Sequence, residues 1–226
     1  MWLLGIDTAT WTASVGIARD AEAVAERTRR TESSHAPTLI PLIAEVLSAA
    51  GITMSDVGAV AVSAGPGSFT GLRIGLGTAK GLAYANRARI VAVPTLAALA
   101  RAAGPRDGTV CSILDARKGE LYAAAFYWRN GGLVECVPAQ VVTPQQLPRI
   151  ITSPCTFIGD GVEPFGDRLR ELFGDGATLM SLDQAPPAGA VVAQMGWERL
   201  SAGVDDALAS LEPHYARPSE AERKAG

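Results

Sequence analysis

The chain is poor in the residues that build metal centres and covalent cross-links: its 226 residues include three cysteines and two histidines. Cys111, Cys136 and Cys155 are odd in number and share no C-x-x-C spacing, so neither a disulfide framework nor a zinc site is predicted. They read as small buried hydrophobes of a reducing compartment. His35 and His214 each lack a second histidine or a carboxylate at ligand spacing, so no metal is expected. A Gly-x-Ser-x-Gly elbow is also missing, which leaves hydrolase chemistry without support.

Charge is scarce as well, at 19% of residues, with a formal net charge of −3 and no long block of one sign. Such a chain has no electrostatic footprint for binding nucleic acid unaided. The densest basic cluster, Arg27, Arg29 and Arg30, is split by Thr28 and reads as a solvated strand end rather than a phosphate site. No apolar run reaches the ~18 residues of a membrane helix, and the opening Met-Trp-Leu-Leu-Gly-Ile meets Asp7 before a signal-peptide core is complete. A cytoplasmic location is expected. What the chain does have is apolar residues, 48% of the total, enough for a sizeable core split over two lobes.

Apolar runs at residues 2–6 and 13–18, separated by a polar turn, predict a β-hairpin, with a third strand over 22–27. A helix follows over 36–50; its apolar positions span an arc of roughly 220°, far wider than one core-facing stripe needs. Residues 57–64 read as a strand, broken by Gly65-Pro66-Gly67 before a long helical segment over 68–86, a strand over 89–93 and a short helix over 95–103. This alternation predicts an α/β lobe over 1–105. Beyond the Gly104–Gly108 boundary, strand-like runs at 109–115, 121–128 and 133–142 form a meander, followed by short helices at 144–150 and 163–173. A second, smaller lobe is thus expected over 106–226, with a helix over 188–202 packing back on the first. The residues after Tyr215 read as frayed or dependent on a partner. No internal repeat is evident.

The least ordinary stretch runs from Ser63 to Ala83 and puts Gly71, Gly75, Gly77 and Gly81 inside one helix. At about 1 kcal/mol each relative to alanine, four such glycines would cost about 4 kcal/mol, so close packing must offset them. Gly71, Gly75 and Ala79 share a face with Leu72, Leu76, Leu82 and Ala83, while Gly77 lies with Arg73, Lys80 and Tyr84. Two readings follow: tight packing of a helix on its sheet, or a helix pressed between that sheet and a partner helix. A phosphate-binding loop fits less well, since Gly65, Gly67 and Gly71 are one residue too long for the dinucleotide fingerprint and no Gly-Lys-Ser/Thr exists. Asp7, Thr8 and Thr10 in the first turn are a second candidate for a weak nucleotide or anion contact, against the alternative of an ordinary polar turn.

The opening Leu-Leu-Gly-Ile-Asp-Thr-Ala-Thr, Ser34-His35 with Leu39-Ile40-Pro41, the run SAGPGSFTGLRIGLGTAKGLA, Leu114 to Tyr122, and Pro213-His214-Tyr215-Ala216-Arg217 resemble, in order and spacing, the bacterial TsaB (YeaZ) family. The resemblance covers nearly the whole chain. It implies an actin/sugar-kinase/Hsp70-type, RNase H-like fold of two lobes with the second reduced. It implies further a non-catalytic dimerisation subunit supporting TsaD, which attaches threonylcarbamoyl to the adenosine beside the anticodon of ANN-decoding tRNAs. ATP and metal are then expected in TsaD, TsaE in the assembled complex, a homodimer when the chain is alone, and tRNA only through the complex. The catalytic relative's H-x-x-x-H metal motif is broken here, since Leu39 stands four residues after His35. The family's contact with TsaD or a second copy uses the helices matching 36–50 and 68–86, which points to Leu39, Leu42, Ile43, Val46, Gly71, Leu72, Gly75, Leu76 and Ala79 as interface residues. Ala216 departs from the leucine common in the family. The rival is an active nucleotide hydrolase or glycoprotease-like enzyme of the same fold.

Overall fold

The computed structural model describes residues 1–31, 34–184 and 188–214. The chain divides into two units, one of residues 1–98 with 188–214, the other beginning at Leu99. The division thus falls a few residues before the expected boundary at 105, and residues 188–214 belong to the first unit rather than the second.

The first unit is built on a five-stranded sheet of β1 (Trp2–Asp7), β2 (Thr12–Arg19), β3 (Glu22–Arg30), β4 (Val57–Ser63) and β5 (Arg89–Val93), in the order β3-β2-β1-β4-β5. The hairpin pairs are antiparallel, whereas β4 runs parallel to β1 and β5 parallel to β4. β3 extends three residues past its expected end, because Arg30 still pairs with Thr12 across the ladder. Helices α1 (Ala36–Ala49) and α2 (Phe69–Asn86) bury Leu39, Leu42, Val46 and Leu76 with Ile6, Val15, Val60 and Val62 of the sheet. The other face, with Leu3, Ala59, Ala61 and Val91, is covered by α5 (Ala188–Ser201) through Val192, Ala193 and Leu200. α5 lies almost backbone to backbone on the hairpin: a Cβ at Gly16 would collide with the Ala190 amide.

The second unit's sheet contains β6 (Thr109–Arg117), β7 (Glu120–Arg129), β8 (Gly132–Val142), β9 (Cys155–Ile158) and β10 (Ala177–Met180), in the order β10-β9-β6-β7-β8. The expected meander is its β6-β7-β8 part. β9 and β10 have no counterpart in the sequence reading; at four residues each they are too short to show a period of two. The segment expected as a helix over 144–150 is a short 3₁₀ helix, Pro144–Arg149; Pro148 within it lacks the amide that a further helical hydrogen bond would need. Helix α3 (Thr95–Ala102) spans the division, and α4 (Val162–Phe173) follows β9. Both sheets therefore share one plan, three antiparallel strands with two parallel strands added beside the first. That structural repeat leaves no trace in the letters.

Candidate functional site

Asp7 and Ser63 end the adjacent parallel strands β1 and β4, where the chain leaves β1 toward β2 on one side and β4 lies on the other. In an open α/β sheet this switch in strand order opens a crevice at the strands' carboxyl ends, the usual place for a ligand. Here the crevice is occupied by the chain itself. Asp7 Oδ2 accepts a hydrogen bond from Ser63 Oγ at 2.9 Å, and Oδ1 accepts one from the Ala9 amide at 2.9 Å. Burial pushes the Asp7 carboxyl above the usual carboxylate range, while those two donors and nearby His35 pull it the other way.

Thr8 Oγ1 donates to the Gly71 carbonyl at 2.7 Å, and the Ala9 carbonyl accepts the Ser68 amide at 2.7 Å. The start of α2 is thus pinned on the β1–β2 turn. Gly71 and Gly75 make this possible, since a Cβ on either would collide with Thr8, at its carbonyl oxygen and its Oγ1 respectively. Ser68 caps the helix by accepting the Gly71 amide at 3.2 Å. Thr10 Oγ1 accepts the Thr12 amide at 3.2 Å, and His35 Nε2–H donates to the Thr10 carbonyl at 2.7 Å. The residues expected as an anion contact, Asp7, Thr8 and Thr10, do come together, but each is engaged by its own neighbours: Asp7 by Ser63 and Ala9, Thr8 by Gly71, and Thr10 by Thr12 and His35. A buried carboxylate repels a phosphate, and the single Thr8 hydroxyl proton is directed at Gly71.

The second unit repeats the placement. Asp160, just beyond β9, accepts the Asp115 amide of neighbouring β6 at 2.9 Å. Burial raises its pKa to about 6, opposed by that hydrogen bond and by Arg117 and reinforced by the charges of Asp115 and Glu163. Asp115 in turn receives the Arg117 amide at 2.7 Å. Among the described residues no group of three or more His, Cys, Asp or Glu side chains is placed to hold a metal ion, and no helix is long and apolar enough to cross a membrane.

The expected interface residues are placed differently from the expectation. Leu39, Leu42, Ile43, Val46, Leu72, Leu76 and Ala79 are at most 5% exposed and form the first unit's own core, with Gly71 and Gly75 locked on Thr8. The outward-facing residues of the two helices are a different set. On α1 it holds Ile40, 54% exposed, with Pro41 and Ala44; on α2 it holds Gly77 and Gly81, around whose Cβ positions the space is open, and Tyr84, 78% exposed. The over-wide apolar arc of α1 was the signal that could have found it, because it had to include an outward flank. Tyr215, Ala216 and Arg217 lie outside the described residues.

A family described as "TsaD: tRNA N6-adenosine threonylcarbamoyltransferase" matches residues 25–161. Over 99% of this chain and 97% of its own length, the tRNA threonylcarbamoyladenosine biosynthesis protein TsaB of Bacillus subtilis is 30% identical. The chain belongs to the TsaB (YeaZ) family. TsaB of Escherichia coli is 29% identical over 99% of this chain and 98% of its own. The structure of YeaZ from Pseudomonas aeruginosa superposes with a TM-score of 0.78 at 27% identity, covering 95% of this chain and 99% of that one. More distantly, component A of (R)-2-hydroxyglutaryl-CoA dehydratase shares the fold alone, with a TM-score of 0.54 at 16% identity over 89% of this chain and 99% of that one. Like YeaZ, the chain has the two-sheet actin/sugar-kinase/Hsp70-type fold.

Proposed function

We propose that this TsaB-family chain is a non-catalytic scaffold subunit in the threonylcarbamoylation of the adenosine beside the tRNA anticodon, acting by docking on the transferase TsaD. The observation that carries this reading is the closed crevice: the carboxyl ends of β1 and β4 are filled by the Thr8–Gly71 lock, with Asp7 held by Ser63 and Ala9. The hydroxyls there, of Ser63 and Thr8, are fully buried and spent on Asp7 and on the Gly71 carbonyl, so neither is open to a substrate. The outward faces of α1 and α2 are where TsaD docks, and where a second copy docks when the chain is alone. On α2 the open space at Gly77 and Gly81 lets another helix approach closely, and exposed Ile40 and Tyr84 offer apolar side chains to it. ATP and the metal belong to TsaD, TsaE joins the assembled complex, and the whole operates in the cytoplasm.

The test is reconstitution. The purified chain is expected neither to hydrolyse ATP nor to modify tRNA above background, to co-elute with TsaD on size exclusion, and to raise modification when added to TsaD with its other components. Turnover by the chain alone, or failure to co-elute, contradicts the proposal.

A further inference from the structure

Three arginines and one exposed indole meet at the outer edge of the first sheet. β3 is an edge strand, and Arg27, Arg29 and Arg30 near its end are all exposed. The ladder sets Arg30 opposite Thr12, and the next amide, of Thr31, donates to the Trp11 carbonyl at 2.9 Å, so Trp11 stands beside Arg30 at the hairpin tip. Trp11 is 46% exposed. Its turn is rigid: buried His35 spans from the Thr10 carbonyl, at 2.7 Å, to Thr31 Oγ1, at 3.2 Å, tying both sides of the tip to the start of α1.

Arginines alone would be explained as charges that keep an edge strand from pairing with another chain. An exposed indole carried by a pinned turn at the same edge works against that purpose. Exposed cations beside an exposed aromatic plane are the elements that hold a single-stranded polynucleotide, phosphates on the guanidiniums and an unstacked base on the ring. The alternation of the strand places Arg27 and Arg29 on the α1 side, where Arg29 reaches Glu45 of α1 at 3.2 Å, and Arg30 on the opposite side. That exposed pair is weak enough for a phosphate to displace. The patch also adjoins α1, whose outward flank carries the proposed docking surface, so an RNA held by a partner there would run onto it.

Resting on the proposed place of this chain in a tRNA-modifying complex, we infer that Trp11 with Arg27, Arg29 and Arg30 forms a tRNA contact, taking backbone phosphates and one unpaired base. The chain's overall negative charge makes the contact productive only when a partner supplies the rest of the affinity.

The experiment uses the assembled complex of this chain with TsaD and an unmodified ANN-decoding tRNA, followed by fluorescence anisotropy over a series of salt concentrations. The triple variant R27A/R29A/R30A is expected to weaken tRNA binding about tenfold or more and to flatten the salt dependence by about one unit of slope for each phosphate no longer neutralised. Trp11→Ala is expected to weaken it about fivefold or more with the salt slope unchanged, and Trp11→Phe to restore most of the loss. Unchanged affinity in complexes that elute normally overturns the inference. So does a loss of affinity that tracks dissociation of the complex, which would make the patch a protein contact. Failure of the wild-type chain to assemble, read by elution before RNA is added, contradicts the proposed function itself and the inference with it.

Discussion

Thr8 carries more of the architecture than its size suggests. One hydroxyl, one carbonyl and two glycines bring a hairpin turn and a helix 63 residues away into backbone contact. Gly71→Ala would drive a Cβ into the Thr8 carbonyl oxygen, and crowding of that kind costs about 1–3 kcal/mol, or a fall in Tm of roughly 2–12 °C for a protein of this size. Thermal unfolding checks this directly. Gly77→Ala faces open space, where losing a helix-interior glycine is worth up to about 1 kcal/mol, so its Tm should rise. Asp160 makes a pH prediction. Its folded pKa of about 6 lies above the ordinary aspartate value of 3.8, so the folded state binds the extra proton and stability falls as pH rises through the window from about 4 to about 6. Asp160→Asn keeps an oxygen for the Asp115 amide and removes the titration. Urea unfolding should show the variant more stable than wild type by about 1–3 kcal/mol at pH 8, with the difference fading toward pH 4.

At the scale of the element, α1 and α2 were legible in their bounds and illegible in their orientation. The helical period, the Gly65-Pro66-Gly67 break and the Ser68 cap mark where α2 begins, and these are local signals. Which face turns inward is not local. Gly71 and Gly77 carry no hydrophobic sign, and the partner that needs Gly71 to be glycine is Thr8 in a distant turn. The expected interface therefore landed on Leu39, Leu42 and Val46, the most apolar face, which the sheet had already taken. The polar turn was partly readable in the same way: Asp7, Thr8 and Thr10 stood out as a cluster, but their internal hydrogen bonds depend on β4 and α2 arriving beside them. Two substitutions separate the faces. Val46→Asp buries an unpaired carboxylate and should abolish cooperative folding, seen as loss of the near-ultraviolet dichroism. Ile40→Asp, on the outward flank, should leave the Tm within about 2 °C and weaken self-association or TsaD binding at least tenfold in sedimentation velocity.

The whole molecule repeats one sheet plan twice, with an acidic residue at the carboxyl end of the first strand of each, Asp7 and Asp115. Family membership follows from a match along nearly the full chain, and the fold from superposition on YeaZ. In the proposed function this fold has turned its ligand crevice inward and kept the outer faces of α1 and α2 for docking. The most direct measurement is titration calorimetry of TsaD with the wild-type chain, Gly75→Leu and Gly77→Leu, each first checked by thermal unfolding. Gly75→Leu should melt early because it meets Thr8. Gly77→Leu should melt no earlier than the wild type and bind TsaD at least tenfold more weakly, about 1.4 kcal/mol or more. Gly77→Leu binding TsaD with wild-type affinity would contradict the account.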